Sequence, residues 1–344
     1  MKAAWQKHTL HFKQASGTSR GVLRSKDSYF IRLSQNGQTG IGECGLLRGL
    51  SADDRPDYTS TLDRLMQQLE NEEKNLLPSL REFPSIQAGL EMALLDLKSK
   101  KHQLFPSAFT QGAATMPING LIWMGDVAFM KKQVVQKLEQ GFGVLKMKIG
   151  AIAFAEELAI LQSIRKEFSP NELQLRVDAN GGFSAAQAPI ILQQLADLEV
   201  HSIEQPIAKG QWEAMGELCA QSPIPIALDE ELIGLWDATH REEMLRTIKP
   251  QYIILKPSFV GGFAQCEKWI DLVKKHQAGW WVTSALESNV GLSAIAQWNF
   301  KQNNPVASGL GTGALYTNNF KSPLYVKQGE IGYEPNQPWQ INLK

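Results

Sequence analysis

The sequence predicts a closed barrel of alternating β-strands and α-helices, preceded by a smaller α+β unit. Three observations carry this reading. From Met116 onward, short apolar runs alternate with amphipathic segments without interruption. Eight such runs occur before Gly313, and eight parallel strands are what a closed β/α barrel of the TIM type requires. Charged residues end several of these runs at steps of ~25–30 residues, the length of one βα unit. A doubly wound open sheet is the competing architecture. It usually has fewer strands and a Gly-rich turn after strand one, which this chain lacks.

Taken in order, residues 1–114 have a different pattern from the rest. TSRGVLRSKDSYFIRLSQNGQTGIGECG reads as short strands broken by Asn-Gly and Gly turns, the signature of a meander. DYTSTLDRLMQQLENEEKNL and PSIQAGLEMALLDLKSKK then place apolar residues at helical spacing. Strands followed by helices make an α+β cap. The barrel is expected over residues 115–315. Its strands are MPINGLIW, VLKMKIG, LQLRVDA, HSIEQP, PIALDEE, YIILKPS, GWWVTSAL and PVASGLG, with helical segments between them. Residues 316–344 are turn-rich with short β-like runs. This tail is expected to return and complete the cap, after a chain reversal near Gly311 and Gly313.

Composition narrows the function classes. Apolar residues make up 43% and charged residues 20% of 344 residues, ordinary values for a soluble enzyme. Lys+Arg and Asp+Glu both number 35, so no overall field draws nucleic acid or an anionic membrane. MKAAWQKHTLHFKQ has charges where a signal peptide needs an apolar stretch, and no run is long enough to span a bilayer. A cytoplasmic enzyme with a small-molecule substrate, no nucleic-acid or membrane partner and a homo-oligomeric option is the expectation. Cys44, Cys219 and Cys266 are far apart and odd in number, so they read as buried thiols of a reducing compartment.

The chemistry lies at the strand ends, which form the mouth of such a barrel. Asp178, Glu204 and Asp229 close strands three, four and five. Three converging carboxylates raise one another's pKa unless a cation joins them, and an all-oxygen set suits Mg²⁺, with Mn²⁺ the alternative. Lys146 and Lys148 are two apart on strand two, so both point to one face. Mutual repulsion beside a metal is expected to lower a lysine toward neutrality, as a general base requires. Lys148, nearer the strand end, is the expected base and Lys146 its helper. Lys256 ends strand six, across the barrel, and approaches the opposite substrate face. Asn180 and Glu230 adjoin metal positions and read as supports for the ligands. The Gly309–Gly313 run resembles a phosphate loop only superficially, since no helix follows for it to cap.

At these residues the chain resembles the enolase superfamily, muconate-lactonizing subgroup. That group has a KxK on strand two, Asp, Glu and Asp ligands on strands three to five, and a Lys on strand six. Lys146/Lys148, Asp178, Glu204, Asp229 and Lys256 match. The resemblance implies a TIM-type (modified β/α) barrel, Mg²⁺ and proton abstraction beside a carboxylate to give an enediolate. Within the subgroup, TSALESNVGLSAIAQW and GLGTGALYTNN are similar to the strand-seven and strand-eight regions of the o-succinylbenzoate synthase family. This implies dehydration of 2-succinyl-6-hydroxy-2,4-cyclohexadiene-1-carboxylate in menaquinone biosynthesis. It also implies substrate contacts from Ser284, Glu287, Ser288, Gly309 and Gly311, and from cap loops around Arg20 and Leu47–Ser51. N-acylamino acid racemisation, dipeptide epimerisation and muconate cycloisomerisation are the alternatives on the same fold. The epimerases carry Asp-x-Asp at strand eight, where this chain has Gly309, Leu310 and Gly311.

Overall fold

The computed structural model describes residues 1–18 and 21–343. Arg20, expected in a cap loop over the substrate, lies outside the described residues. Strands β1 (Lys2–Thr18), β2 (Gly21–Gln35) and β3 (Gln38–Cys44) form the antiparallel meander. The β2–β3 hairpin turns through Asn36 and Gly37, both at positive φ, the geometry that matches the strand twist. Helices Tyr58–Glu70 and Pro84–Lys98 cover this sheet, burying Leu62, Leu65 and Leu90 with Ile31 and Leu33 in a core of their own. β3 approaches the second helix so closely that a Cβ at Gly42 would stand 1.9 Å from the Gly89 carbonyl oxygen. Only glycine fits there.

The chain continues through β4 (Met116–Pro117), β5 (Gly120–Ile122), β6 (Val144–Lys148), β7 (Gln174–Asp178), β8 (Ser202–Glu204), β9 (Ile226–Leu228), β10 (Tyr252–Leu255), β11 (Gly279–Val282), β12 (Leu324–Lys327) and β13 (Glu330–Tyr333). Among the described residues, β5 to β11 make one seven-stranded parallel sheet in sequence order. Each crossover between neighbouring strands contains a helix, from Val127–Glu139 to Phe263–Lys275. Helix Asn289–Lys301 follows β11. Apolar side chains from strands and helices together form the barrel core.

Two strand expectations are corrected. The first barrel strand divides into β4 and β5, because successive amides serve different partners. Ile118 N donates to Gly329 O beside the β13 hairpin, and Asn119 N donates to Ser308 O in the barrel. The eighth strand is reduced to single bridges, Ser308 with Ile118 and Gly309 with Thr283. Pro305 has no amide donor and Gly309 and Gly311 favour no extended ladder, so the run stays irregular. It nonetheless joins both edges of the sheet and completes the circle.

The tail touches both parts of the molecule. Tyr316 bridges Phe12, Asn318 donates to Thr9 O at 2.8 Å, and Phe320 packs on Phe30. Farther on, β13 pairs with β12 on one side and β4 on the other, at the N-terminal end of the first barrel strand. Cys44, Cys219 and Cys266 are buried free thiols. No helix among the described residues is long and apolar enough to cross a membrane.

The contact at Gly42 gives a direct test of the cap. Gly42→Ala is expected to destabilise the protein by about 3 kcal/mol, the scale of overpacking a rigid backbone contact. Urea unfolding measures it. Unchanged stability would mean that the helix can move away without loss.

Candidate active site

The parallel register sets the acidic and basic residues at one level. Lys148 on β6 lies beside Asp178 on β7, and Asp178 beside Glu204 on β8. Asp229 and Lys256 each follow the last residue of β9 and β10. Strands β6 and β10 stand on opposite sides of the ring, so Lys148 and Lys256 face each other over a cavity of about 500 Å³ that both line. Lys146 and Asp178 lie at its floor. Leu121 and Trp123 from the first barrel strand, and Phe259 after β10, form apolar walls. The cap covers it with residues 21–23 and 47–50.

These charges are buried and mutually paired. Lys146 Nζ is 2.6 Å from Glu204 Oε2 and 2.9 Å from Asp178 Oδ2. Lys148 Nζ is 2.9 Å from the same Asp178 oxygen. Lys256 donates to Asp229 Oδ2. Asp178, Glu204 and Asp229 are each at most 2% exposed. Burial opposes the charge on Asp178, but Lys146 and Lys148 outweigh it and hold the carboxyl well below its usual range. Glu204 is pushed up to about 8 by burial and then by Asp178, with Asp229 adding to the effect. Two carboxylates share the Lys146 ammonium, and Asp178, which meets both lysines, ionises first.

The lysines depart from one expectation. Burial disfavours the Lys146 ammonium, yet Asp178 and Glu204 hold it above the ordinary lysine range. Lys256 is likewise held up, by Asp229 and then Glu204 against the effect of burial. Facing carboxylates, rather than a neighbouring ammonium, dominate the field around these two lysines. Lys146 and Lys256 are therefore weaker acids unless the carboxylates are engaged elsewhere.

The carboxylates suit a hard divalent cation. Their donor atoms are all oxygens, and Glu204 Oε1 is buried without a hydrogen-bond partner. Among the described residues, no three His, Cys, Asp or Glu side chains are already grouped around a metal position. Lys146 bridges Asp178 and Glu204 instead, so binding would require the acids to exchange an ammonium for the cation.

The expected supporting residues are also placed. Asn180 Oδ1 accepts from Lys148 Nζ at 2.6 Å, while its Nδ2 donates to Glu230 Oε1 at 3.1 Å. Asn180 sits at φ +44°, a left-handed conformation that Asn tolerates. Ser284, Gly309 and Gly311 line the cavity, and the Ser284 hydroxyl lies 2.7 Å from that of Thr312. Glu287 and Ser288 do not line it. Leu286 adopts φ +61°, and the two residues that follow are buried between cap and barrel. There Glu287 accepts from Ser258, and Ser288 donates to Glu43.

Sequence reasoning missed Asn119, Leu121 and Trp123, all cavity-lining. Their signal was present: they alternate along one strand-like run with buried Ile118 and Ile122. The Trp123 ring lies 6.0 Å from Lys148 Nζ, and the Phe259 ring 5.3 Å from Lys256 Nζ. Each lysine thus has an aromatic face beside it. Arg48 lies within the expected cap loop and lines the cavity, held by Asp54 and the Tyr29 hydroxyl.

The chain is similar to known proteins. The family model described as "Enolase C-terminal domain-like" matches residues 130–337. An o-succinylbenzoate synthase from Desulfotalea psychrophila is 47% identical, over 96% of this chain and 99% of that one. The crystal structure of MenC from Desulfotalea psychrophila superposes with a TM-score of 0.86 at 44% identity, covering 96% of this chain and 99% of that one. The L-Ala-D/L-Glu epimerase of Bacillus subtilis superposes with a TM-score of 0.83 at 20% identity, over 98% and 97% of the two chains, a likeness of fold.

The field at Glu204 has a measurable consequence. With its carboxyl at about 8, Glu204 holds a proton at pH 7, and a cation favours the ionised form. Mg²⁺ binding is therefore expected to release protons at pH 7 and to tighten as pH rises toward 8. Calorimetry in two buffers of different ionisation enthalpy reads this directly. Heats that do not depend on the buffer would refute it.

Proposed function

The chain belongs to the enolase C-terminal domain-like family, and from that premise we propose that it is an o-succinylbenzoate synthase. The observation that carries the reading is the pair of lysines facing each other across a cavity, each paired with a buried acid at a strand end, in a chain 47% identical to a protein of that activity. Residues 115–315 are assigned to the catalytic barrel, and residues 1–114 with 316–344 to the cap. The substrate is a small carboxylate, and the compartment the cytoplasm.

Asp178, Glu204 and Asp229 would hold Mg²⁺, which when bound supplies positive charge against the substrate carboxylate as its α-carbon loses a proton. Engaging Asp178 would also free Lys148 from its contact with that carboxylate, so that it can act as a neutral amine. Lys148 takes the proton from the ring carbon beside the carboxylate, leaving an enediolate. The C6 hydroxyl departs from the same face and accepts that proton from the Lys148 ammonium, giving water and 2-succinylbenzoate. Lys148 ends the cycle neutral. Aromatisation of the ring drives the step.

Other side chains set the geometry. Asn180 accepts from Lys148 and fixes the direction of its Nζ. Lys256, on the far face, places its charge against the planar intermediate. Trp123, Leu121 and Phe259 offer the ring an apolar slot, and the cap excludes water. Gly309 and Gly311 line the cavity without a carboxylate, so no acid stands there for a substrate ammonium.

A second reading has its own observation. Two lysines on opposite faces are also what N-acylamino acid racemisation requires, one for each enantiomer. Purified protein should consume the cyclohexadiene, seen as Mg²⁺-dependent loss of its diene absorbance. Lys148→Ala should lower kcat by about 10²–10⁴-fold, the contribution of a general base. Lys256→Ala should reduce turnover of the diene as well. No diene loss, with polarimetric decay of an N-succinyl amino acid, would make the protein a racemase. Lys256→Ala would then abolish proton exchange from one enantiomer only.

A further inference from the structure

One wall of the cavity is formed by Ala285 and Leu286, in the loop after β11. Leu286 holds φ +61°, a region that bulky side chains avoid, so surrounding contacts must keep it there. Two buried donors converge on its carbonyl oxygen. Lys26 Nζ, from β2 of the cap, donates at 2.9 Å, and the Tyr316 hydroxyl, from the segment after the barrel, donates at 2.7 Å. Lys26 is 4% exposed and Tyr316 3%. Among the described residues, Lys26 has no carboxylate at ion-pair distance, so the carbonyl is the group its ammonium touches.

The next two residues extend the same junction. Glu287 Oε1 accepts from Ser258 at 2.6 Å, two residues after Lys256. Ser288 donates its amide and its hydroxyl to Glu43 of β3, at 2.9 and 2.5 Å. Glu43 also accepts from Ser28 of β2 and from Gly291 N. Burial lowers the Lys26 ammonium from its usual range, with Glu287 and Glu43 opposing that effect. Buried polar contacts of this kind constrain position more than they add stability.

We propose that Lys26 is a positioning residue for the substrate pocket: with Tyr316 it pins the carbonyl of Leu286, and so registers the wall formed by Ala285 and Leu286 against the cap. The inference rests on the reading of this cavity as the substrate site. Lys26 touches no reacting atom. Its loss releases a strained residue, and the wall then samples conformations that do not fit the substrate, which raises KM and leaves the chemistry of Lys148 intact.

The test compares wild type with Lys26→Met, which keeps most of the side-chain volume and removes the donor. Tyr316→Phe removes the other donor from the same carbonyl and serves if the first variant fails to fold. Amide hydrogen exchange is expected to rise in residues 283–289, with the barrel strands unchanged. KM for the succinyl cyclohexadiene substrate is expected to rise about tenfold, with kcat within about threefold, the signature of weakened binding without altered chemistry. Unchanged exchange and unchanged KM overturn the proposal. So does exchange that rises throughout the chain with kcat and KM moving together, since that reports general destabilisation. A wild type inactive on this substrate would instead remove the functional reading. The local exchange result then decides alone whether Lys26 positions the wall.

Discussion

Three carboxylates and three ammonium groups share one buried level at the mouth of the barrel, and the rest of the site follows from how their charges balance. None of these groups could be buried alone at tolerable cost, because an unpaired charge loses its hydration without compensation. The balance is uneven. Asp178 meets two lysines and Glu204 shares one, so the first is strongly ionised and the second holds its proton. Glu204 also keeps one oxygen without a partner. With Glu204 protonated, the three ammonium groups outnumber the carboxylate charges, so the cluster is unevenly balanced.

A second constraint comes from the cap. The β2–β3 ribbon supplies the loop over the cavity and also Lys26, Ser28 and Glu43, which reach into the junction with the barrel. On the far side of the ribbon, Gly42 and Gly89 bring β3 against its helix with no side chain between them. The helix, the ribbon and the loop after β11 are therefore in rigid succession. Lys26 of the cap touches Leu286, and Glu287 in turn accepts from Ser258, close to the strand end that carries Lys256.

Much of this was legible along the chain because the signals are local. Strand residues alternate with period two and a βα unit has a typical length, so Lys146, Lys148, Asp178, Glu204, Asp229 and Lys256 could be assigned to strand ends by counting. The same arithmetic applied to MPINGLIW would have found Asn119, Leu121 and Trp123 on the cavity side. It could not show that the run splits between two sheets, since that depends on where Gly329 and Ser308 lie in space. PVASGLG was read as a strand from its place in the series, but Pro305 and the glycines leave it only isolated bridges.

By itself the sequence determined the alternation, the closed barrel, the acids and bases at its mouth, and a cap of strands followed by helices. Each rests on short-range periodicity or on chemistry carried by single residue types. The tertiary structure decided which acid meets which lysine, and hence the direction of each shift. It also decided that Glu287 and Ser288 turn away from the cavity toward the cap. Past the last ladder hydrogen bond, nothing periodic sets the direction of a side chain. There a single backbone angle, at Leu286, redirects the residues that follow, and the contacts holding that angle come from residues 260 positions before it and 30 after.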